Sequence, residues 1–481
     1  MRGWDFPLEL DRRSGAPLTE QLVNALVAEI RRGRLEPGAA LPGTRTLAKG
    51  LGVHRNTVVA AFEELRTQGW VETSRASHTR VSRALALPER VDQGRRGEAL
   101  GFPLRPVRNS SRRFEAAPAG VLDFTGGLPD DRLFPTALLA RAYRRAVAGP
   151  RGRPLAFGDP AGSPALRKRL AQLLSSRRGL SVGPDDVLVT RGSQLALHLL
   201  ALALVKPGDV VAVESPGYPS AREAFALMGA HLMPVPVDRE GLDVEALERK
   251  LERTRIRALY VTPQHQDPTT VTLSAPRRQR LLALARRHRF AIIEADYDHE
   301  FSLDGAPVLP MASSDQHGVV VYVGTLSKAL APGLRMGFVV GPRALRERLL
   351  ALRGQVDRVG DLGLENAVAE LLDDGEVQRH TLRARRVFRA RRDVLVAALR
   401  RELGEVVDFE VPRGGLALWV TVKRGIDVER WAARALAQGV RFFTGALYSP
   451  EGRTLSALRL GFGALDETEL QEAVRRMARA L

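Results

Sequence analysis

The stretch Tyr322-Val323-Gly324-Thr325-Leu326-Ser327-Lys328, followed by Pro332-Gly333-Leu334-Arg335-Met336-Gly337, determines the fold and chemistry expected of most of this chain. An apolar run that predicts a strand ends in small hydroxyl residues and a lysine, and an arginine follows seven positions later. A lysine amine can bind an aldehyde as an imine (Schiff base), and a phosphate dianion can be shared among Thr325, Ser327 and Arg335. The pattern predicts a site for a phosphate-bearing aldehyde cofactor with Lys328 as its nucleophile. The alternative is a solvated surface lysine.

Lysine is scarce in this chain, which favours the first interpretation. The sequence contains 73 Lys and Arg residues, of which only six are lysine. Arginine therefore fills nearly every generic basic position. Because an arginine guanidinium cannot lose its proton and attack a carbonyl, a lysine retained against this bias indicates chemistry that arginine cannot perform.

The composition indicates a globular protein with more than one domain. At 481 residues the chain is too long for one ordinary core. Its formal charge of +18 indicates a polyanionic partner, or else an arginine bias carried by a solvated surface. The absence of cysteine excludes disulfides and thiolate metal sites, and no metal site is predicted. The N-terminal residues lack the apolar core of a secretory signal. The longest apolar run, residues 195–205, is too short for a membrane span. We therefore expect a cytoplasmic protein that joins the nucleoid when it binds DNA.

Residues 1–83 predict three helices and a hairpin. The buried face of the first helix is marked by residues that recur every four positions, Leu18, Leu22, Leu26 and Ile30. A second helix is expected over residues 44–51, with Thr44 as its cap, and a third from about residue 55. Short strands near residues 70–72 and 79–81 complete a winged helix-turn-helix.

The exposed start of the third helix predicts contact with DNA. Arg55, Asn56 and Thr57 are residue types that bond base edges and phosphates when a helix enters the major groove. Further residues near the second helix and in the wing can meet the DNA backbone, namely Arg45, Arg75, His78 and Thr79. A solvated basic face on a generic three-helix domain is the alternative.

This segment resembles the GntR-type DNA-binding domain over roughly residues 17–81. The resemblance is carried by Arg34-Leu35-Glu36-Pro37-Gly38, Leu51-Gly52-Val53, Arg55-Asn56-Thr57-Val58 and Glu64-Leu65-Arg66-Thr67-Gln68-Gly69. His54 stands where that family usually has serine, which we expect to weaken the cap of the third helix, and Ala76-Ser77-His78 replaces a glycine-rich wing tip. Residues 84–120, rich in Arg, Gly and Pro, predict a flexible basic linker that can also contact DNA.

The remaining residues, 121–481, predict an α/β domain. Short β-branched segments alternate with longer helical ones, which is the rhythm of a mostly parallel sheet covered on both faces. The predicted strands are residues 186–190, 210–213, 258–261 and 290–293. Such sheets bind ligands at the carboxyl ends of their strands, and every candidate polar group of this domain follows one strand.

Polar groups behind successive strands favour a cofactor pocket. Gly192-Ser193-Gln194 opens an apolar helix and offers free backbone N–H groups to a phosphate. Tyr218 offers a ring face for stacking, Tyr297 a hydroxyl for a phenolic oxygen, and Arg459 a guanidinium for a ligand carboxylate. Each residue alone is also consistent with simple packing. Their positions after successive strands, however, have a single common explanation, a cofactor pocket.

In this order the residues resemble the fold type I aminotransferases, which use pyridoxal phosphate. With the N-terminal winged helix, the chain resembles the MocR/GabR subfamily of bacterial regulators over nearly its whole length; supporting stretches are Glu214-Ser215-Pro216-Gly217-Tyr218-Pro219, Thr262-Pro263-Gln264-His265-Gln266 and residues 294–301 and 324–337. The resemblance implies a smaller C-terminal subdomain and a homodimer whose pocket is completed across subunits. It further implies these roles: Lys328 as the imine lysine, Arg335 and the Ser193 turn at the phosphate, Tyr297 at the phenolate oxygen, Tyr218 on the ring, and Arg459 as the carboxylate clamp.

Four departures from that subfamily affect the expected chemistry. Ala295 stands where the family has an aspartate, two positions before Tyr297, and the side chains at 294 and 296 should point to the opposite face of the strand. Without a carboxylate to keep the pyridine nitrogen protonated, removal of a substrate proton should be slower. Asp267 replaces an asparagine or aromatic residue and is a candidate to contact the ring, Thr270 replaces a glycine, and Phe157 replaces a tyrosine.

Three functions are compatible with the sequence. The preferred one is a DNA-binding transcription regulator that binds pyridoxal phosphate and senses it, or an amino compound, as a signal. The second is a working aminotransferase with an accessory DNA-binding domain, against which Ala295 counts. The third is a cofactor-free regulator that keeps the large domain for dimerisation. Full enzymatic turnover is not expected.

Overall fold

A computed structural model describes residues 10–73, 78–85, 115–148 and 156–481, together with Leu8 and Pro103. The chain divides into two compact units, Met1–Arg112 and Arg113–Leu481. Within the described residues, no helix has the length and apolar character needed to cross a bilayer. The wing tip with Arg75, and most of the predicted linker, lie outside the described residues.

The smaller unit has three helices and a two-stranded sheet, as the sequence predicts. Its elements are α1 Leu18–Arg31, α2 Thr44–Leu51, α3 Arg55–Thr67, β1 Val71–Thr73 and β2 Thr79–Val81. The two strands are antiparallel, with Val71 opposite Val81. The four-residue recurrence along α1 buries Leu22, Leu26 and Ile30 completely in the core of the unit.

The cap of α2 differs from the sequence-based expectation, and the cap of α3 is a histidine side chain. Gly43, not Thr44, is the N-cap of α2, and no side chain caps that helix. Thr44 is already helical, and its hydroxyl accepts a hydrogen bond from Nε of Arg55 at 3.4 Å. At α3 the imidazole of His54 takes the place of a serine hydroxyl, because its Nδ1 accepts the backbone N–H of Asn56 at 3.2 Å. The third helix therefore has a side-chain cap after all.

The larger unit alternates strands with helices. Its helices are α4 Thr136–Ala148, α5 Pro164–Arg178, α6 Gly192–Leu204, α7 Pro219–Leu227, α8 Val244–Leu251, α9 Ala275–His288, α10 Arg343–Val356, α11 Leu362–Asp373, α12 Glu376–Leu403, α13 Val428–Ala437 and α14 Glu467–Arg479. Its strands are β3 Leu122–Asp123, β4 Val187–Thr190, β5 Val210–Ser215, β6 His231–Asp238, β7 Gly241–Leu242, β8 Ala258–Val261, β9 Ala291–Asp296, β10 Val320–Thr325, β11 Gly337–Val340, β12 Val407–Asp408, β13 Ala417–Val422, β14 Val440–Arg441, β15 Phe443–Thr444 and β16 Ala457–Gly461.

An eight-stranded sheet forms the centre of this unit. Its strand order is β4-β11-β10-β9-β8-β5-β6-β7. The central strands β10, β9, β8, β5 and β6 are parallel to their neighbours in that series. Two apolar clusters cover its faces: Ile293 and Ala295 of β9 belong to one, and Ile292 belongs to the other. The mostly parallel α/β sheet predicted from the alternation of segments is confirmed.

The C-terminal part of the unit forms a smaller layered subdomain. Its four-stranded sheet has the order β12-β13-β16-β15 and is packed against α12, α13 and α14. Trp431 on α13 is fully buried there, and its Nε1–H donates to the carbonyl of Met477 at 2.9 Å. Residues 122–123 join this part of the fold, because β3 pairs in parallel with β14.

The histidine cap of α3 gives a testable prediction for the smaller unit. Replacing His54 with alanine removes the acceptor for the Asn56 amide and should destabilise the start of α3 by about 1 kcal/mol. His54→Ser restores an oxygen acceptor and serves as the matched control. Hydrogen–deuterium exchange at the first turn of α3 should be faster by about fivefold in the alanine variant and near the original rate in the serine variant. Equal protection in all three proteins would show that the imidazole contributes no cap.

Candidate functional site

A cavity of about 460 Å³ lies in the larger unit, at the carboxyl ends of the central strands. Side chains that follow different strands converge on it: Ser193 after β4, Tyr218 after β5, Asp267 after β8, Tyr297 after β9 and Lys328 after β10. Thr325, Ser327, Arg335 and Arg459 also line it. Most of the residues proposed from sequence therefore meet in one space, as expected where parallel strands end together.

One end of the cavity is built to hold an anion. Helix α6 begins at Gly192, whose φ of +73° and whose close neighbour leave no room for a side chain: a Cβ there would lie 3.0 Å from Nη2 of Arg335. The hydroxyl of Thr325 donates to the hydroxyl of Ser327 at 2.9 Å in the same region. A helix N-terminus, a guanidinium and two hydroxyls together provide the donors and the positive field that a phosphate requires.

The amine of Lys328 is held by backbone carbonyls on the opposite side. It donates to the carbonyl of Gly127 at 2.7 Å and to that of Gly126 at 3.3 Å. Burial and, after it, the nearby Arg459 cation lower the pKa of this amine to about 8, against the opposing effect of Asp298 and Asp267. A useful fraction of the amine is therefore neutral, and so nucleophilic, near neutral pH.

The Gly126-Gly127 turn brings Lys328 and Arg459 against the same backbone. Its two residues have φ values of +77° and +50°, in the left-handed region. A Cβ on Gly127 would lie 3.1 Å from both terminal nitrogens of Arg459. Glycine is required here both for the backbone conformation and for the close approach of the guanidinium.

Two tyrosines and a small residue form the middle of the cavity. The rings of Tyr218 and Tyr260 are stacked, with centroids 6.5 Å apart and planes 28° from parallel. Ala295 lines the cavity beside them. The hydroxyl of Tyr297 donates to the backbone carbonyl of His265. This arrangement provides flat apolar surface, with hydroxyl groups at its edge, for a planar ring.

Asp267 and Arg459 form an ion pair within the cavity wall. Nη2 of Arg459 lies 3.2 Å from Oδ2 of Asp267, and both side chains are largely buried. The other carboxylate oxygen of Asp267, Oδ1, has no hydrogen-bond partner among the described residues. The residue proposed from sequence as a free carboxylate clamp is thus already bound to a carboxylate of its own chain.

The loop that carries Asp267 is held under backbone strain. His265 has a φ of +48° and Thr270 a φ of +64°. A β-branched residue in the left-handed region costs roughly 1–2 kcal/mol, and Thr270 stands where glycine was expected. The loop is fixed by contacts on several sides: Nδ1 of His265 lies 2.8 Å from Asp298, and Nε2 of Gln266 donates to the carbonyl of Pro216 at 2.9 Å. Strain of this kind persists where the surroundings fix a functional geometry.

The strand β9 offers no carboxylate to the cavity at position 295. Alternation sends Glu294 and Asp296 to the other face, where Glu294 accepts the backbone N–H groups of Met311 and Ala312 at 2.7 and 2.8 Å. Asp296 pairs with the buried Arg178 at 3.0 Å. Burial opposes ionisation of Asp296, but the Arg178 cation, His299 and the Tyr322 hydroxyl together outweigh it and hold the pKa of that carboxyl below its usual range. Asp296 is therefore committed to a structural ion pair.

Two residues proposed for the cofactor do not line the cavity among the described residues, Gly192 and Gln194. Gly192 acts through the approach of Arg335 described above. The amide Nε2 of Gln194 is directed toward the carbonyl of Ser220 at 3.5 Å and toward Nδ1 of His198 at 3.4 Å. Its side chain thus packs along the helix and not toward the phosphate end.

The proposed DNA-contacting residues are open to solvent in the smaller unit. Arg45, Arg55, Asn56 and His78 are exposed, and Thr57 and Thr79 are half-buried. The start of α3 therefore presents its polar residues on the surface, as a helix that enters a groove must.

Several lining residues were not identified from the sequence. Glu115, Ala116 and Ala117, which fall in the predicted linker, line the cavity, as do Asp123, Arg441 and Tyr448. The guanidinium of Arg441 pairs with Asp123 and donates to the carbonyl of Glu115 at 3.0 Å. No periodicity or motif marks these residues, because their contacts join segments far apart in the chain.

Comparisons with known proteins agree with both units. Residues 120–477 match the aminotransferase class I and II family, and residues 18–81 match the gntR family of bacterial regulatory proteins. The probable rhizopine catabolism regulatory protein MocR of Rhizobium meliloti is 32% identical over 98% of this chain and 95% of its own length. The HTH-type transcriptional regulator TauR of Rhodobacter capsulatus is 32% identical over 96% of each chain. The solved structure of LysN, the α-aminoadipate aminotransferase of Thermus thermophilus complexed with N-(5'-phosphopyridoxyl)-L-leucine, matches with a TM-score of 0.73 and 32% identity over 78% of this chain and 95% of that one.

The charges around Lys328 predict a pH dependence for its reaction with an aldehyde. The rate at which pyridoxal phosphate changes the absorbance of cofactor-free protein should rise with pH with a midpoint at about 8, because the neutral amine is the reacting form. Arg459→Gln removes the cation that lowers the pKa of Lys328, so the midpoint should move upward. Asp267→Asn removes an acid that raises this pKa, so the midpoint should move downward. Midpoints that do not move, or that move in the same direction, would contradict this electrostatic account.

Proposed function

We propose that this chain, which belongs to the aminotransferase class I and II family and to its MocR/GabR group of DNA-binding transcription regulators, reads DNA with the smaller unit and senses an amine-bearing ligand at the pyridoxal phosphate of the larger one. The observation that carries the proposal is the buried Lys328 amine, which faces the same cavity as the Arg335 and Ser193 cradle. An amine of lowered pKa beside an anion site is what a phosphate-bearing aldehyde needs.

The residues present fit pyridoxal phosphate. In our proposal Ser193, Thr325, Ser327 and Arg335 bind its phosphate, and Tyr218 packs on its ring. Lys328 holds its aldehyde covalently, and Tyr297 orients the neighbouring edge of the ring through its hydroxyl. When bound, the cofactor supplies an electrophilic carbon that captures amines and a ring that withdraws electrons from them.

The composition of the site favours binding of an amine over its catalytic conversion. The strand position that would face the ring nitrogen carries Ala295. Asp296 also borders the cavity, but its side chain alternates to the opposite face of the strand and its carboxylate is engaged by Arg178. A chain without an acid at this position would still bind an amine at the cofactor's electrophilic carbon, with release of the Lys328 amine, but would provide little support for proton removal. The proposal is therefore a sensor, with the aminotransferase activity of relatives such as LysN reduced or lost.

The position of residues 115–117, which precede the larger unit's first strand, supports the sensing role. The first described residues of the larger unit, Glu115 to Ala117, form part of the cavity wall, and Arg441 binds the Glu115 carbonyl and Asp123 together. Because the C-terminal end of the predicted linker forms part of this wall, a ligand that displaces the wall would also displace that end of the linker. A ligand with different affinities for the two arrangements shifts the population between them.

We further propose that the regulator acts as a homodimer at its operator on the nucleoid. Phe157 stands at the family position that meets a neighbouring subunit, and 78% of its surface is exposed in the single chain. The guanidinium of Arg358 lies 5.8 Å from the centre of its ring. A large apolar side chain so exposed favours burial against a partner.

The sensing proposal is tested with Lys328→Ala and Lys328→Arg. The arginine variant keeps a cation but cannot bind an aldehyde, so it isolates the covalent bond. Wild-type protein should gain a new absorbance band with pyridoxal phosphate and change its DNA affinity when amines are added. Neither variant should do so. A wild-type protein that gains no such band is a cofactor-free regulator, and one that turns over amino acids repeatedly is an enzyme; either result overturns the proposal.

The DNA-binding unit predicts distinct effects for two arginines. Arg55→Ala at the start of α3 should weaken binding to a selected operator by about 1–3 kcal/mol with little effect on random duplex, because it removes a base contact. Arg45→Ala should weaken both and reduce the salt dependence by about one unit, because it removes a phosphate contact. Equal losses on both duplexes for both variants would contradict this assignment. Fluorescence anisotropy at several salt concentrations provides the measurement.

A further inference from the structure

We infer that the ligand of this cavity is an amine that lacks a carboxylate beside its amino group and that carries a second hydrogen-bond donor, such as a diamine or an amino alcohol, with Asp267 as the residue that selects it. This inference rests on the proposed sensing function and specifies the chemistry of the ligand. It depends on three features of the cavity wall: the pairing of Arg459, the unpaired oxygen of Asp267, and the balance of charge around Lys328.

The first feature is that Arg459 is neutralised by its own chain. Nη2 of its guanidinium lies 3.2 Å from Oδ2 of Asp267, whereas its Nε has no hydrogen-bond partner among the described residues. Only 5% of the surface of Arg459 and 8% of that of Asp267 is exposed, so water screens the pair weakly. A ligand carboxylate that approached Arg459 would lie beside a second carboxylate in a poorly solvated site. Like charges in that position repel, so the pair disfavours the α-carboxylate of an amino acid.

The second feature is an acceptor without a donor. Oδ1 of Asp267 is buried and has no hydrogen-bond partner among the described residues, although Asp267 lines the cavity. An unsatisfied buried carboxylate oxygen costs free energy until a donor reaches it. The strained loop between His265 and Thr270 holds it in place. An ammonium or hydroxyl group on the ligand would supply the missing hydrogen bond.

The third feature is the distribution of charge near the reactive amine. Lys328 is influenced by one cation, Arg459, and by two acids, Asp267 and Asp298. Asp298 is bound through Oδ1 to Nδ1 of His265 at 2.8 Å, and its other oxygen has no partner in the described part of the chain. The ligand end of the cavity is therefore no longer the strongly cationic site that a free arginine would create. It suits a cationic or neutral ligand better than an anionic one.

The experiment compares amino acids with the amines that differ from them only by the carboxylate. Binding to full-length protein loaded with pyridoxal phosphate is measured by isothermal titration calorimetry for L-ornithine against 1,4-diaminobutane, and for L-serine against 2-aminoethanol. L-alanine against ethylamine serves as a pair without the second donor. In wild-type protein, the amine of each of the first two pairs should bind at least about tenfold more tightly than its amino acid. Ethylamine should bind more weakly than 2-aminoethanol, because it lacks the second donor.

Asp267→Asn tests the assignment to this residue. The amide keeps the shape of the side chain but frees Arg459 from its internal carboxylate, so the preference should fall by about tenfold or reverse toward the amino acids. Asp209→Asn is the matched control. It removes the same charge from a carboxylate that pairs with Arg257 and does not belong to the cavity wall, so the preference should be unchanged.

The outcomes separate this inference from the function on which it rests. Wild-type protein that prefers the amino acids, or binds both members of each pair equally, overturns the inference even if Asp267→Asn fails to fold. Equal effects of the 267 and 209 substitutions also overturn it. In either case the sensing function stands as long as the cofactor binds and some amine alters DNA affinity. Failure of the wild-type protein to take up the cofactor overturns both.

Discussion

Two basic groups, the Lys328 amine and the Arg459 guanidinium, are buried against the same backbone turn, Gly126-Gly127. The neighbouring carbonyls and acids reduce the electrostatic cost of burying them so close together. The carbonyl of Gly127 accepts from the amine at 2.7 Å, while the absence of a side chain on Gly127 lets the guanidinium approach the same residue. Asp267 forms an ion pair with Arg459, and the charge of Asp298 acts to raise the pKa of Lys328. The lowered pKa of the amine follows from this incomplete compensation, because burial and the neighbouring cation outweigh the two acids.

These groups come from different layers of the fold. Lys328 follows β10 of the large sheet, whereas Arg459 lies on β16 of the C-terminal sheet, opposite Trp419 of β13. The ring of Trp419 in turn meets that of Tyr448 edge-on, with centroids 5.7 Å apart. The cavity therefore exists only while the two sheets keep their relative placement. Because β3 pairs with β14, the residues just before β3 are joined to the C-terminal part.

The sequence predicted the parts of the site that local patterns mark. The run 258–261 coincides with β8, and the rule that ligands bind where parallel strands end brought Tyr218, Tyr297 and Lys328 together before any contact was known. It did not predict the pairing of Asp267 with Arg459, because no periodicity relates a loop after β8 to a strand of another sheet. The cap of α2 was assigned wrongly for a different reason, and the acceptor that His54 supplies at α3 was not identified. Gly43 and His54 can each occupy a cap position that statistics assign first to hydroxyl and acidic residues.

On strand β9, the position of the acidic residue decides whether it can serve the cavity or only the fold. Its side chains alternate between the two faces of the sheet, so an acid at 296 cannot replace an acid at 295. Asp296 instead neutralises Arg178, which is buried beneath the sheet and also pairs with Glu300 at 2.6 Å. Releasing Asp296 to serve the cavity would leave a buried guanidinium with less compensation, at a cost of several kcal/mol. The chain thus keeps Asp296, which the buried Arg178 requires, and presents the methyl group of Ala295 to the cavity. This is why the site retains the means to capture an amine while lacking an acid at the position that would assist its conversion.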